Sequence, residues 1–417
     1  MSEAGVQRVT APSPQRIIFV NRFFAPDHSA TSQILSDLAF YLASSGREVH
    51  IVCGDNLYAD PVVRLAKEEV LEGVHVHRVS GGRFGRSGLA GRAADYIGLY
   101  ASLRKRVSAL LRAGDILIVK TDPPLLTIPL AGLAQKRKAT FVPWLQDIYP
   151  EVAAALGVPL LRGAAGKILV SLRDASLRNA AAVVVIGARM RDHLKIRGVS
   201  PCLIHVIPNW ADERDITPTA RHENTLRVEW GLSDKFVVGY SGNLGRAHEF
   251  LTLLDAAERL KDRGDLAFLF IGGGHHVAKL KQEVTARNIS SLFHFRPYQE
   301  RARLSQSLSV PDVHWISLRP ELEGLIVPSK FYGIAAAGRA VINVGAADGE
   351  IAELVARHQC GVSVLPGDGA NMARAIERFM KTPDEVKAMG DNAKDMLVDH
   401  FSKSCAMAQW VKLLQAL

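Results

Sequence analysis

Short runs of consecutive apolar residues alternate along the first half of the chain with stretches whose apolar positions recur every three to four residues. RIIFVNRF (16–23) is the first run, and a helical pattern follows it from about Thr31 to Ser44. EVHIVCG (48–54), DILIVKTD (115–122), ATFVPWLQD (139–147), AAVVVIG (181–187) and CLIHVIPN (202–209) come next, most of them separated by helix-like stretches. Runs that are apolar at successive positions are covered on both faces, which predicts a parallel sheet flanked by helices. The pattern restarts after the polar stretch ADERDITPTARHENT (211–225). KFVVGYSGN (235–243), LAFLFIGGG (266–274), SLFHFRPY (291–298), DVHWISL (312–318), AVINVG (340–345) and GVSVLP (361–366) read as strands, with helices expected at 249–263, 275–288, 328–337, 349–357 and 369–381.

Two successive doubly wound α/β domains account for this double pattern, and 417 residues exceed what one core usually carries. The expected division is 1–208 and 209–401, followed by a terminal helix at about 402–417. In that helix Trp410, Leu413, Leu414 and Leu417 share one apolar face. The face must pack on something, and a helix bridging both domains is one option.

Composition narrows the setting. The longest stretch without a charge or histidine is 13 residues, Pro123 to Gln135, and it holds three prolines, too short to span a bilayer. The opening MSEAGVQRVTAPSPQ has no apolar core and does not read as a secretory signal. Four scattered cysteines with no CxxC read as buried thiols of a reducing compartment, and no metal site is expected. Residues 1–210 hold 26 Lys and Arg against 16 Asp and Glu, whereas residues 211–417 hold 25 against 26. The net charge of +9 is therefore confined to the first half, which suits an anionic surface or ligand. Two basic stretches, 83–112 with seven Arg/Lys and one acid and 162–197 with eight and two, carry apolar residues among the charges and suit an anionic membrane face. They serve equally as the solvated faces of core-packed helices. No stacking module or nucleic-acid signature is present.

Ligands of open α/β sheets bind beyond the carboxyl ends of the strands, so the loops there hold the candidate chemistry. Gly242-Asn243-Leu244-Gly245-Arg246 follows one strand. Its glycines let the backbone approach a phosphate, and Arg246 can fork onto phosphate oxygens, although a tight turn alone would look the same. Gly272-Gly273-Gly274-His275-His276 follows another. GGG is not the dinucleotide fingerprint, and neighbouring histidines on a helix diverge, which argues against a metal. Tyr298 ends the next strand. Glu323 precedes Pro328-Ser329-Lys330, where a helix begins. A lysine is disfavoured at the positive end of a helix, and a bound anion would remove the conflict, which makes Lys330 a phosphate candidate. In the first half Ala30 and Thr31 open a helix after a strand, and Asp147 and Glu151 follow ATFVPWLQD. One of these carboxylates could act on an acceptor hydroxyl, or both could pair with arginines.

These segments, in this order, resemble the bacterial family 4 glycosyltransferases of GT-B fold, and more closely the branch with fucosyl and N-acetylfucosaminyl transferases. The marks are NRFFAPDHSATSQ (21–33), PWLQDIYPEVAAALG (143–157), IPNWAD (207–212), YSGNLGRAHEF (240–250), FIGGG (270–274), EGLIVPSKFYGIAAAGRA (323–340) and DGEIA (348–352). The resemblance implies two Rossmann-like domains facing a central cleft, with a sugar-nucleotide donor mainly on the second. Gly242, Asn243, Gly273, Tyr298, Glu323, Ser329 and Lys330 are the donor-side candidates, with Arg246 and Lys330 catalytic and Asp147 added to them from its own position rather than from the resemblance. Ala30, Thr31 and Glu151 are its acceptor-side candidates. It also implies retention, no cofactor and no metal, a lipid-diphosphate-linked saccharide acceptor at the cytoplasmic membrane face, and a terminal helix that crosses back to the first domain. Contacts with other polysaccharide-assembly enzymes would fit this setting. The chain departs from the family in three places. Gly333 stands where many relatives have the ribose-binding second Glu. Asn243 and His248 stand where many have phosphate-binding Arg and Lys, so Arg246 and Lys330 are the diphosphate candidates here. The usual catalytic-loop His is replaced near Gln146-Asp147. A sugar-nucleotide 2-epimerase and a non-catalytic sugar-nucleotide binder at the membrane are the alternatives, and a nicotinamide dehydrogenase lacks its fingerprint.

Overall fold

The computed structural model describes residues 15–58, 60, 62–81 and 88–417, with side chains left aside at 88–94. The opening stretch read for a targeting signal therefore falls almost wholly outside the described residues, as does the start of the first basic stretch. Among the described residues the strands are β1 (Ile17–Val20), β2 (Val49–Gly54), β3 (Glu68–Leu71), β4 (Val74–Val79), β5 (Ile116–Lys120), β6 (Thr140–Leu145), β7 (Val183–Val185), β8 (Ile204–Val206), β9 (Phe236–Asn243), β10 (Leu266–Gly273), β11 (Phe293–Arg296), β12 (Val313–Ser317), β13 (Ala340–Val344) and β14 (Gly361–Val364). The chain divides into two compact units, residues 1–145 with 172–183 and residues 146–171 with 184–417.

The first sheet runs β3-β4-β2-β1-β5-β6-β7-β8. β1 pairs in parallel with β2 on one side and β5 on the other, so the strand order reverses beside β1. Most of this sheet's strands read from apolar runs are buried throughout, as in IIFV and VHIVCG, whereas β8 is buried only at Ile204. The hairpin β3–β4 is antiparallel and was not expected from the sequence. Its β3 alternates exposed and partly buried residues, and its two-residue turn, Glu72-Gly73, takes positive φ at both positions (47° and 82°), the geometry a tight hairpin needs.

The second sheet is wholly parallel in the order β11-β10-β9-β12-β13-β14, the doubly wound order that reverses between β9 and β12. Its core joins Tyr240, Phe268, Phe270, Trp315 and Ile342 from the strands to Leu253, Leu254, Met372, Ile376 and Phe379 from the helices Leu251–Arg259 and Gly369–Lys381. Caps set several helix starts: Asp368 accepts from Asn371 N–H, and Ser402 from Cys405 N–H at the head of Lys403–Ala416. In that last helix Trp410, Leu413 and Leu414 are buried, as its periodicity predicts. No helix among the described residues is long and apolar enough to cross a membrane.

Candidate active site

Ligands of such sheets sit where the strand order reverses, and in the second unit that point lies between the ends of β9 and β12. β9 runs through Asn243, so the expected loop glycine Gly242 is the strand's penultimate residue, in register with Gly272, while Asn243 pairs with Gly273. Gly242 has φ 123°, and a Cβ there would stand 2.9 Å from Lys330 Cε. Gly272 has φ 130°, and a Cβ there would overlap the Gly242 carbonyl oxygen. Both positions therefore require glycine for conformation and for space. The Tyr298 ring lies against Gly272 and Gly273. Gly242, Asn243, Gly273, Tyr298 and Lys330 are thus brought together as the sequence pattern suggested.

Beneath them lies an aromatic floor. The Tyr240 ring is 5.0 Å from Phe270 and 5.1 Å from Trp315, and Lys330 Nζ stands 5.2 Å from the centre of the Tyr240 ring. Burial here lowers the Lys330 pKa to about 8. The partner of Lys330 is His248, whose Nε2 is 3.1 Å from Nζ, while its Nδ1 donates to the Ser317 carbonyl at 2.6 Å. Burial, with the Lys330 charge beside it, pushes the His248 pKa down to about 3, so the ring is neutral. The stretch Ala247–Glu249 is stitched to the β12 end. Arg319 N–H donates to the Ala247 carbonyl, Glu249 N–H to Ser317 Oγ, and Ser317 Oγ to the Glu249 carbonyl.

Ser329 precedes the helix Lys330–Ala336 and makes no side-chain cap bond. A Cβ at Gly333 would meet Leu308 Cδ1 at 3.7 Å and Ile216 Cδ1 at 3.9 Å, ordinary contacts with apolar neighbours. Glu323 is occupied: its Oε2 accepts from Glu350 N–H at 3.2 Å. Burial, with the Glu350 charge nearby, raises its pKa. Glu350 in turn accepts from Ala188 and Arg189 N–H at 3.0 and 2.8 Å, capping the helix Ala188–Ile196.

Asp147 forms an antiparallel bridge with Ile326, and Ile148 N–H donates to the Leu325 carbonyl at 2.9 Å, which holds this segment beside Glu323–Lys330. Glu151 opens the helix Glu151–Ala155 with Oε1 3.6 Å from His193 Nε2. Arg246 spends one guanidinium nitrogen on the Leu156 carbonyl at 2.6 Å. Ala30 and Thr31 belong to the other unit, where Thr31's carbonyl accepts from Lys120 at 3.0 Å. Sequence reasoning gave no role to His248, Glu350 or His193. His248 was noted only as a departure from the family, because its partners Ser317 and Lys330, like those of the other two, lie far along the chain. Among the described residues, no group of three His, Cys, Asp or Glu side chains is placed to hold a metal ion.

A glycine-lined, doubly wound switch point with an unneutralised lysine, following a first sheet of the same kind, is the architecture of a GT-B glycosyltransferase. The profile "Glycosyl transferase 4-like domain" matches residues 30–210, and "Glycosyl transferases group 1" matches residues 223–396. The two profiles together span most of the chain, which thus resembles a glycosyl transferase 4-like domain followed by a group 1 glycosyl transferase domain. It is 27% identical over 318 residues to "Probable glycosyltransferase WbjE" of Pseudomonas aeruginosa, covering 75% of this chain and 77% of that protein. It is 28% identical over 244 residues to "Putative colanic acid biosynthesis glycosyl transferase WcaI" of Escherichia coli K12, covering 57% of this chain and 59% of WcaI, less than two thirds. The fold matches that of Anabaena Alr3699/HepE, solved in complex with UDP, at a TM-score of 0.71 and 16% identity, over 97% of this chain and 100% of that one.

Proposed function

We propose that the chain moves a sugar, with retention at the anomeric carbon, from a nucleoside-diphosphate sugar to a lipid-diphosphate-linked saccharide in surface-polysaccharide assembly. The observation that carries the donor half is the half-buried Lys330 ammonium, held by a neutral imidazole rather than a carboxylate. Its charge therefore remains for an anion. HepE is solved with UDP and with UDP-glucose, which supports a nucleotide-sugar reading of the fold. WcaI's assignment to colanic acid biosynthesis supports the surface-polysaccharide setting.

In this mechanism the bond from the anomeric carbon to the leaving phosphate oxygen breaks, and Lys330, Arg246 and backbone N–H groups near Gly242 stabilise the charge that gathers on the diphosphate. They do so without a metal. The acceptor hydroxyl attacks the same face, and its proton passes to the departing phosphate or to Asp147. Residues 209–401 hold the donor, and Glu323 and Ser329 serve its sugar side. Residues 1–208 hold the acceptor, with Ala30, Thr31 and Glu151 contributing and the helix at 402–417 returning to that domain. The +10 charge of residues 1–210 and the exposed Leu160, Ile168 and Leu172 among basic residues suit attachment to the inner face of an anionic plasma membrane.

The test incubates purified protein with labelled UDP-, GDP- and dTDP-sugars, fucosyl-type donors first, together with membrane lipid. Label in the lipid phase supports transfer. An interconverted soluble sugar would make the chain an epimerase, and binding without product would make it a non-catalytic receptor.

A further inference from the structure

His248 lies between two groups that fix what it can do. The Ser317 carbonyl only accepts, so the proton of the neutral ring resides on Nδ1, and Nε2 keeps a lone pair aimed at Lys330 Nζ. The low pKa of the ring agrees with its being neutral. The carbonyl it uses ends β12, and Glu249 N–H together with Ser317 Oγ closes a second link to the same residue. The imidazole is therefore held at both sides before any ligand arrives. No carboxylate pairs with Lys330 among the described residues. A carboxylate in place of the ring would orient the ammonium equally well but would cancel its charge and repel a diphosphate. A neutral lone pair orients the ammonium, leaves it its full charge, and takes one of its three N–H donors.

We infer that His248 is a positioning residue for the donor diphosphate: its Nε2 lone pair holds the Lys330 ammonium, and leaves its charge and remaining N–H groups to the ligand. This rests on the donor reading proposed above. His248 itself touches no phosphate. Glutamine can replace it in kind, because one amide can donate to the Ser317 carbonyl and accept from Lys330.

The experiment measures UDP and inorganic pyrophosphate binding by calorimetry on the full chain, for wild type, His248→Ala, His248→Met, His248→Gln, Lys330→Ala and the His248→Ala/Lys330→Ala double variant, with melting curves as the folding control. The Met variant fills the ring's volume and offers Lys330 only a weakly accepting thioether, and it decides the case if the Ala variant does not fold. The expected result is a loss of about tenfold in Ala and Met, and Gln within about threefold of wild type. The double variant should bind no worse than Lys330→Ala alone, because His248 acts only through the lysine. Wild-type affinity in the folded Met variant, or additive losses in the double variant, overturns this inference and leaves the donor reading standing. Failure of the wild-type chain to bind UDP, GDP, dTDP or pyrophosphate overturns both.

Discussion

The two units carry the same device, a mostly parallel sheet whose order reverses beside its first strand, and furnish it with opposite electrostatics. At the second unit's switch point, between β9 and β12, the half-buried cation Lys330 faces glycines, aromatic rings and a neutral histidine. At the first unit's, between β1 and β5, every cation has company. Arg22 donates to Tyr96 Oη at 2.9 Å and lies over the Phe23 and Tyr96 rings. Lys120 donates to the Thr31 carbonyl and stands 4.0 Å from the centre of the Trp144 ring. Asp122 lies within electrostatic reach of both, and Arg22 N–H donates to its carbonyl at 2.6 Å. One crevice is left charged for an anion. The other balances cation against carboxylate, which suits hydroxyl-rich ligands better than phosphates. Topology thus marks where a ligand can sit, and side-chain pairing decides its charge.

The largest effect expected from this difference is on Lys330→Ala. Removing the uncompensated cation should lower transfer by about 100-fold or more in kcat, the scale of losing one charge-stabilising donor in a transition state. Asp122→Asn should change donor affinity by less than about threefold, since Asp122 belongs to the balanced crevice. Steady-state kinetics and calorimetry on the two variants measure this. Equal losses in donor affinity would mean that the two crevices do not divide the work by charge.

A second effect follows from the Lys330 pKa of about 8. Below that pH the free protein presents the ammonium and donor affinity is flat. Above it the site must first take up a proton, so affinity should fall about tenfold for each pH unit until the ligand-bound pKa is reached. Lys330→Arg keeps its proton and should stay flat to pH 9 and beyond, even where its affinity is lower. A wild-type profile that is flat from pH 7 to 9.5 would mean either that Lys330 keeps the ordinary lysine pKa or that its charge does not contribute to binding.

Much of this contrast was legible in the chain, and the unread part has a physical reason. Strands buried on both faces announce themselves as apolar runs, and the glycines ending β9 and β10 mark a close backbone approach whatever their partner. The β3–β4 hairpin stayed hidden because its first strand is half exposed and its turn is Glu-Gly rather than a residue pair typical of tight hairpins. Lys330 was found from a local conflict with the helix end. Its keeper was not, because the carbonyl that fixes His248 lies 69 residues along the chain, and Arg246 meets Leu156 across 90. Glu323 was read as free to meet a sugar, yet its carboxylate also accepts from the head of Glu350–His358, a pairing that only the folded sheet creates.

The smallest effect concerns stability and falls on the balanced crevice. Burial pushes the Asp122 carboxyl up to about 6 from 3.8, against the pull of Arg22 and Lys120. Between these values the folded chain holds a proton that the unfolded chain has released, so this residue's contribution to stability falls as the pH rises from 4 to 6 and stays low above. Asp122→Asn removes the ionisation and should stabilise the protein at pH 7.5 by about 2–3 kcal/mol at most, a few degrees in melting temperature. Near pH 4 the two proteins should melt together. His50 and His77 work in the opposite sense: burial lowers both, His77 to about 4, and their contribution is lost as the pH falls from 6.5. The wild-type profile therefore mixes the two signs, and only the difference between wild type and Asp122→Asn isolates the carboxyl. A difference that does not grow between pH 4 and 6 would mean that Asp122 is as well solvated or as well paired in the fold as in the open chain, and that the first crevice is not balanced by a strained carboxylate.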